Sequence, residues 1–172
     1  MRPMARPLFH DPHHEYALRE EGFVVTKLME PEEAAAVLAQ YRSLQPADGF
    51  RPDGNGVNRA RYHCTFLDDD RDYKAASLEI VEQEFRPRID RILDRCSVLT
   101  GNLYVKPPGA GKLEIHQNWT TTPDVRDTSV TVWCPLVDVG PANGTLQLVP
   151  RSHKIIDGIA AASAPQYFIP MY

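Results

Sequence analysis

Two side chains with metal-binding atoms, His116 and Asn118, stand two residues apart, directly after a short β-rich run at residues 113–115. Alternate side chains of a β-strand point to the same face, so the imidazole and the carboxamide are expected to aim at one point. A histidine and a nearby carboxylate on one strand, completed by a distant histidine, form the ligand set of many non-haem Fe(II) sites. The spacing by itself leaves two interpretations open: a metal-binding strand that carries His116 and Asn118, or a histidine that serves as a structural hydrogen-bonding residue on a half-buried strand.

Two other groups of polar residues resemble metal sites by residue type alone. Three histidines between residues 10 and 14 lie in a Pro-containing N-terminal segment with no evident scaffold, which we interpret as a solvated arm. The aspartate run at residues 68–70 lacks the spaced oxygen donors, the glycine and the closing glutamate of an EF-hand loop. We interpret it as a solvated turn or a helix cap.

The elements that would position the metal-binding strand follow one another in an α+β order. Residues 23–28 are predicted to form a short strand, and Pro31, which precedes two glutamates, predicts the start of a helix. A second helix is predicted over residues 73–95, with a kink at Pro87. From residue 98 onward, short β-rich runs alternate with turns that contain Pro, Gly or Asn.

The β-rich runs predict a sandwich, jelly roll or barrel in the second half of the chain. No internal repeat or linker divides the chain. We expect an arm at residues 1–15 and a single domain at residues 16–172, helical to about residue 97 and β-rich from about residue 98. The loop at residues 45–61 is either a lid over a site or an ordinary surface excursion. The runs lie at residues 98–99, 103–105, 113–115, 129–133 and 145–149.

Composition limits the classes of protein to consider. The chain has 172 residues, 42% of them hydrophobic and 24% charged, as expected of a soluble globular protein. Its formal net charge of −4 gives no general attraction to nucleic acid or to an anionic membrane, and no apolar run is long enough to span a bilayer. The three cysteines are isolated and odd in number, which predicts free thiols and a reducing, cytoplasmic location.

Four segments, in order along the chain, resemble the phytanoyl-CoA dioxygenase family of Fe(II)/2-oxoglutarate-dependent oxygenases. Residues 102–109 resemble the family's strand and K-x-P-G turn, and residues 116–119 resemble its H-Q-D segment. Residues 129–138 are similar to its strand that ends in W-x-P-L-x-D. Residues 143–154 are similar to its N-G-x-L…V-P-G-S-H-K segment, with Arg151 in place of the usual glycine.

The resemblance, which runs from about residue 8 to the end, implies N-terminal helices packed on a double-stranded β-helix of the jelly-roll or cupin type. Such a core holds Fe(II) and 2-oxoglutarate and hydroxylates a small-molecule substrate, with release of succinate and CO2. By position, His116 would be the proximal iron ligand, and the oxygen ligand would come from Asn118 or from Asp124 on the following loop. The residues implied to line the 2-oxoglutarate pocket are Trp133, Tyr104, Gln117 and Lys106.

Two features of the chain depart from the family's pattern. Asn118 supplies no negative charge to offset Fe(II). The family's distal histidine and its 2-oxoglutarate-anchoring arginine lie after the S-H-K segment, so the β-helix is expected to be incomplete at its C-terminal side. Either the sequence is a fragment of a longer protein, or a second copy or a partner covers the open edge. Two alternatives therefore stay open: a catalytically inactive binding module on the same fold, and a cupin-like site in which His153 joins His116.

Overall fold

The computed structural model of the chain describes residues 6–50, 62–109, 115–116 and 128–155. The backbone contacts divide the chain into two compact units. Unit one comprises Met1–Thr26, Lys112–Trp133 and Leu146–Tyr172, and unit two comprises Lys27–Gly111 and Cys134–Thr145.

Unit one contains helix α1 at Pro12–Glu21, which begins inside the segment interpreted as an arm. Asp11 caps this helix by accepting a hydrogen bond from the backbone N–H of His13 at 2.8 Å. Gly22 ends it in the left-handed conformation, with a φ of 87°. Helix α1 was not predicted from the sequence, because its residues show no apolar stripe and its one buried residue is Glu15.

The buried carboxylate of Glu15 fastens the preceding chain to helix α1. It accepts hydrogen bonds from the backbone N–H groups of Leu8 at 2.8 Å and Phe9 at 3.2 Å, and it pairs with Arg19 at 2.6 Å. Burial alone raises the pKa of Glu15, but these hydrogen bonds outweigh burial, so the pKa lies below its usual value. An ionised carboxylate therefore holds the first turn of α1 against the chain before it.

Helix α2, at Pro31–Ser43, begins in unit two where the sequence predicts a helix start. The Glu33 carboxylate accepts a hydrogen bond from the backbone N–H of Glu30 at 2.7 Å, which closes the first turn. The buried face of the helix carries Val37 and Tyr41, two of the apolar positions in its sequence. The predicted helix start is confirmed.

The second predicted helix is present as three continuous segments. These are helix α3 at Arg71–Ile80, a π-helical turn at Val81–Phe85 and helix α4 at Arg86–Ile89. Pro87 has no N–H to donate to the carbonyl group four residues earlier, and the wider π-helical turn directly before α4 takes up that interruption. The regular helix ends before the predicted limit at residue 95.

Unit two also contains a two-stranded antiparallel sheet and a small apolar core. Strand β1, at His63–Cys64, pairs with strand β2, at Tyr104–Val105, so that His63 lies opposite Val105. A single turn of 3-10 helix at Thr65–Leu67 leads from β1 towards α3. The core consists of Val37, Tyr41 and Ile80, with Leu44, Phe85, Leu103 and Leu136 packed against it.

The described residues do not confirm the predicted jelly-roll core, since β1 and β2 are the only strands among them. The β-branched residues of the predicted runs favour extended backbone, but a strand also needs a hydrogen-bonded neighbour, and these described segments pair with none. Of the predicted runs, the one at 103–105 is present as β2. Regular secondary structure is absent from four other runs, which lie at 23–28, 98–99, 129–133 and 145–149. Residues 113–114 of the remaining run lie outside the described part.

Two predictions from composition can be compared with the structure. The three cysteines, Cys64, Cys96 and Cys134, are all free, as their isolated positions predict. Among the described helices, none is both long enough and apolar enough to cross a membrane.

Candidate functional site

Strand β1 and the turn after helix α2 bring polar side chains together inside unit two. His63 lies on β1 and is 0% exposed. Its Nδ1 lies 2.8 Å from each carboxylate oxygen of Asp48, and its Nε2 lies 2.7 Å from the hydroxyl oxygen of Tyr73 on helix α3. Both ring nitrogens are engaged, so the imidazole is held between a carboxylate and a phenol.

Asp68 places a second carboxylate beside His63. It is 7% exposed, and it accepts hydrogen bonds from the backbone N–H groups of Ala47 at 3.2 Å and Asp70 at 2.8 Å. One ligand atom from each of Asp48, His63 and Asp68 lies within 4.8 Å of the other two. These three residues, which we call the Asp–His–Asp cluster, offer an imidazole nitrogen and carboxylate oxygens of the kind that bind divalent metals.

Tyr73 connects the Asp–His–Asp cluster to further buried hydroxyl groups. Its oxygen lies 3.1 Å from Oγ1 of Thr65, which lies 3.5 Å from Oγ of Ser77 and accepts a hydrogen bond from the backbone N–H of Leu103 at 3.1 Å. Burial raises the pKa of Tyr73 to about 12, a change that the Thr65 hydrogen bond opposes and the carboxylates of the cluster reinforce. The phenol is therefore a protonated hydrogen-bond donor at neutral pH.

The aspartate run at 68–70 shows how the local sequence places the cluster. Asp70 caps helix α3 by accepting hydrogen bonds from the backbone N–H groups of Asp72 at 2.8 Å and Tyr73 at 3.1 Å, which confirms the predicted helix cap. Asp69 is exposed, whereas the prediction of a solvated turn is wrong for Asp68, which turns inward. The cluster was not predicted from the sequence, because its members come from separate segments and no spacing rule connects them.

Of the predicted metal ligands, the structure describes one. His116 lies in unit one, in a segment without regular secondary structure, and it is exposed. Gln117, Asn118 and Asp124 lie outside the described residues.

His116 supplies one imidazole, and its predicted partners Asn118 and Asp124 lie outside the described residues. A facial Fe(II) site needs three protein ligands. Within the described ranges, the one group of three His, Cys, Asp or Glu side chains that could hold an ion is the Asp–His–Asp cluster, and His116 is not part of it. The described residues therefore do not by themselves fit Fe(II) at His116.

The residues predicted for 2-oxoglutarate lie in both units. Trp133 belongs to unit one and is 43% exposed. Tyr104, on strand β2 of unit two, has its ring 5.9 Å from that of Tyr62. Partial burial of the hydroxyl, reinforced by the Cys64 thiol, raises the pKa of Tyr104, so this phenol is a protonated donor at neutral pH. Lys106 follows β2 directly in an irregular segment.

The S-H-K segment contacts the end of helix α1 within unit one, where it begins helix α5 at Ser152–Ile155. His153 donates from Nε2 to the backbone carbonyl of Arg19 at 3.0 Å. The backbone N–H of Arg151 donates to the carbonyl of Glu21 at 2.9 Å, and its guanidinium pairs with the Glu21 carboxylate at 2.9 Å. Carbonyl groups in the last turn of a helix have no partner within the helix, so Arg151 and His153 satisfy two of them.

The other nitrogen of His153 faces Gly22. Nδ1 is buried and has no hydrogen-bond partner among the described residues, and a Cβ on Gly22 would lie 2.5 Å from it. Lys154 adds an ion pair with Glu20 at 2.7 Å. These contacts favour an anchoring role for His153 at the end of α1, and they lend no support to the alternative in which it joins His116 as a metal ligand.

Comparison with known families identifies the family of this chain. The family described as Phytanoyl-CoA dioxygenase (PhyH) matches residues 18–168, well over half of the 172-residue chain. No curated protein and no solved structure matches the chain. The matched range includes the four segments from residue 102 to residue 154 and also the Asp–His–Asp cluster.

Proposed function

The chain belongs to the phytanoyl-CoA dioxygenase family, and on this premise we propose that it is an Fe(II)- and 2-oxoglutarate-dependent dioxygenase that hydroxylates a small molecule. The family is one of Fe(II)/2-oxoglutarate-type dioxygenases with a cupin-like fold. In the proposed reaction, 2-oxoglutarate and O2 are consumed, a C–H bond of the substrate becomes C–OH, and succinate and CO2 are released. One oxygen atom of O2 enters the alcohol and the other enters succinate.

The family match over residues 18–168 carries this proposal. The H-Q-x segment that carries His116 lies inside the matched range, which supports the assignment of His116. We assign His116 to Fe(II), with an oxygen ligand from Asn118 or Asp124. Bound iron would supply the activation of O2, and the protein would position the reactants and shield them from water. The residues assigned to 2-oxoglutarate are Trp133, Tyr104, Gln117 and Lys106.

The direct test is formation of succinate from 2-oxoglutarate by the full chain supplied with Fe(II) and air. We expect succinate with both components present and none without iron or oxygen. His116→Ala is expected to abolish the reaction, since it removes the proximal ligand. His13→Ala is the matched control, because His13 is an exposed histidine on helix α1, and it should leave the rate unchanged. Equal rates for the parent and His116→Ala would contradict the assignment.

The carboxylate position has its own test. Asn118→Asp adds a negative charge towards the ion, so Fe(II) should bind more tightly, as measured by equilibrium dialysis. If Asp124 already provides the carboxylate, Asp124→Asn loses iron binding and Asn118→Asp adds little. Absence of succinate from both the parent chain and Asn118→Asp would favour the inactive binding module.

A further inference from the structure

The Asp–His–Asp cluster brings two carboxylates to one buried imidazole. The ligand oxygens of Asp48 and Asp68 lie within 4.8 Å of each other. Within the described residues, the one ion pair that involves either carboxylate joins Asp48 to His63. Two negative groups side by side, largely away from water, are unfavourable unless a positive charge lies between them. A divalent cation supplies two positive charges and so matches both carboxylates.

Nδ1 of His63 and the carboxylate oxygens of Asp48 and Asp68 are spaced like neighbouring ligands on one side of a metal ion. Nδ1 of His63 lies 2.8 Å from both oxygens of Asp48. Ligand atoms in neighbouring positions around an ion with bonds of about 2.1 Å are separated by about 3 Å. Asp68 supplies a third ligand atom, within 4.8 Å of those of Asp48 and His63.

Backbone groups hold both carboxylates without using all of their lone pairs. Asp48 accepts a hydrogen bond from the backbone N–H of Phe50 at 2.9 Å, and Asp68 accepts its two from Ala47 and Asp70. Each ionised carboxylate has about four acceptor positions, so oxygen lone pairs remain for an ion. The side chain of Asp48 is 24% exposed, which gives an ion access from solvent.

The opposite side of the imidazole has the partner that a metal-binding histidine needs. When Nδ1 binds an ion, Nε2 carries the proton and has to donate it to an acceptor. The hydroxyl oxygen of Tyr73 lies 2.7 Å from Nε2, and Tyr73 can donate in turn to Oγ1 of Thr65 at 3.1 Å. Hydroxyl groups rotate, so this buried chain can support the tautomer that leaves Nδ1 free.

We propose that the Asp–His–Asp cluster is a binding site for a divalent first-row transition-metal ion, with Asp48, Asp68 and Nδ1 of His63 as its ligands. A set of one imidazole and two carboxylates suits Mn2+, Fe2+ or Zn2+. The site is separate from the iron position assigned to His116, and it does not depend on the proposed oxygenase activity.

Mn2+ titration of the full chain carrying His116→Ala tests this proposal, because that variant removes the assigned iron ligand. Free Mn2+ is measured by electron paramagnetic resonance. We expect a single bound Mn2+, with binding weakened about tenfold or more in Asp48→Asn and in Asp68→Asn added to the same background. Asp69→Asn is the matched control, since it makes the same change at an exposed neighbour, and it should bind as tightly as the His116→Ala parent. Failure of the His116→Ala chain to bind Mn2+, or unchanged binding in the cluster variants, would overturn the proposal.

A second measurement needs no substitution. Asp48→Asn keeps an acceptor oxygen for the backbone N–H of Phe50, whereas Asp68→Asn keeps one for only one of its two backbone donors, Ala47 and Asp70, so the circular dichroism spectrum of each variant is compared with that of the parent. If they do not fold, paramagnetic broadening by Mn2+ in the unsubstituted chain decides the matter. The ring signals of His63 should broaden at lower Mn2+ concentration than those of His153 and His13. Earlier broadening of either of the other two histidines would refute the site.

Discussion

Removal of the Tyr73 hydroxyl measures how far the buried polar network stabilises unit two. Tyr73→Phe keeps the ring but takes away the partner of His63 Nε2 at 2.7 Å and one partner of Thr65 Oγ1 at 3.1 Å. Leaving a buried polar group unpaired costs about 1–3 kcal/mol. His63 is 0% exposed and loses its Nε2 partner, whereas Thr65 keeps the hydrogen bond from Leu103. We therefore expect the free energy of unfolding to fall by about 2 kcal/mol.

Urea unfolding followed by circular dichroism tests this value. With a slope of about 2 kcal/mol per molar urea, the midpoint of Tyr73→Phe should lie about 1 M below that of the parent. Tyr16→Phe is the matched control, because Tyr16 is 70% exposed on helix α1 and its hydroxyl is already solvated. That variant should change stability by less than about 0.5 kcal/mol. Equal midpoints for the two variants would refute the reasoning that the network stabilises the fold.

Urea unfolding of variants at Gly22, Arg151 and Glu15 measures how the contacts and backbone conformation around helix α1 affect stability. Gly22→Ala brings a Cβ to 2.5 Å from His153 Nδ1, whereas Gly49→Ala, also at positive φ, meets nothing within 4 Å, so Gly22→Ala should cost about 1–3 kcal/mol more. Equal costs would remove the clash as the cause. Arg151 has a φ of 65°, a region that favours glycine, so Arg151→Gly should be more stable than Arg151→Ala, since both lose the ion pair but only glycine relieves the backbone. The reverse order would contradict this account. The pKa of Glu15 lies below its ordinary value of 4.5, so its stabilisation is present above that pH and lost as the pH falls through the folded pKa. Glu15→Gln should therefore flatten the loss of stability on acidification, and an unchanged slope would show that another group is responsible.

Local signals in the sequence predicted the parts of the fold that depend on neighbouring residues. Pro31 and the glutamates after it located the start of helix α2, and the aspartate run supplied the cap of helix α3 through Asp70. The interruption expected at Pro87 coincides with the π-helical turn before it. Helix α1 escaped prediction because its buried residue, Glu15, gains its stability from backbone groups six and seven residues earlier rather than from an apolar face.

Interactions between distant parts of the chain could not be predicted from sequence patterns. The run at 129–133 and the run at 145–149 have strand-like composition, yet strand formation depends on a partner that composition does not identify. Val132 and Leu148, at 46% and 50% exposed, show that these described runs do not bury their apolar side chains. The Asp–His–Asp cluster was missed for the same reason, because a loop aspartate gains its role only when folding places it beside a buried histidine.

The charges of the two proposed metal positions determine the order in which Fe(II) would fill them. The Asp–His–Asp cluster presents two carboxylates to an ion, whereas the oxygen ligand proposed to act with His116 is either the neutral Asn118 or the single carboxylate of Asp124. The attraction between unlike charges grows as their surroundings become drier, and Asp68 is only 7% exposed, so the cluster should take up Fe(II) first. Succinate formation should then lag during the first equivalent of Fe(II) and rise with the second. Asp68→Asn weakens the cluster without touching His116, so it should shorten the lag and leave the final rate unchanged. A rate that rises from the first addition in both chains would mean that the cluster does not compete for iron.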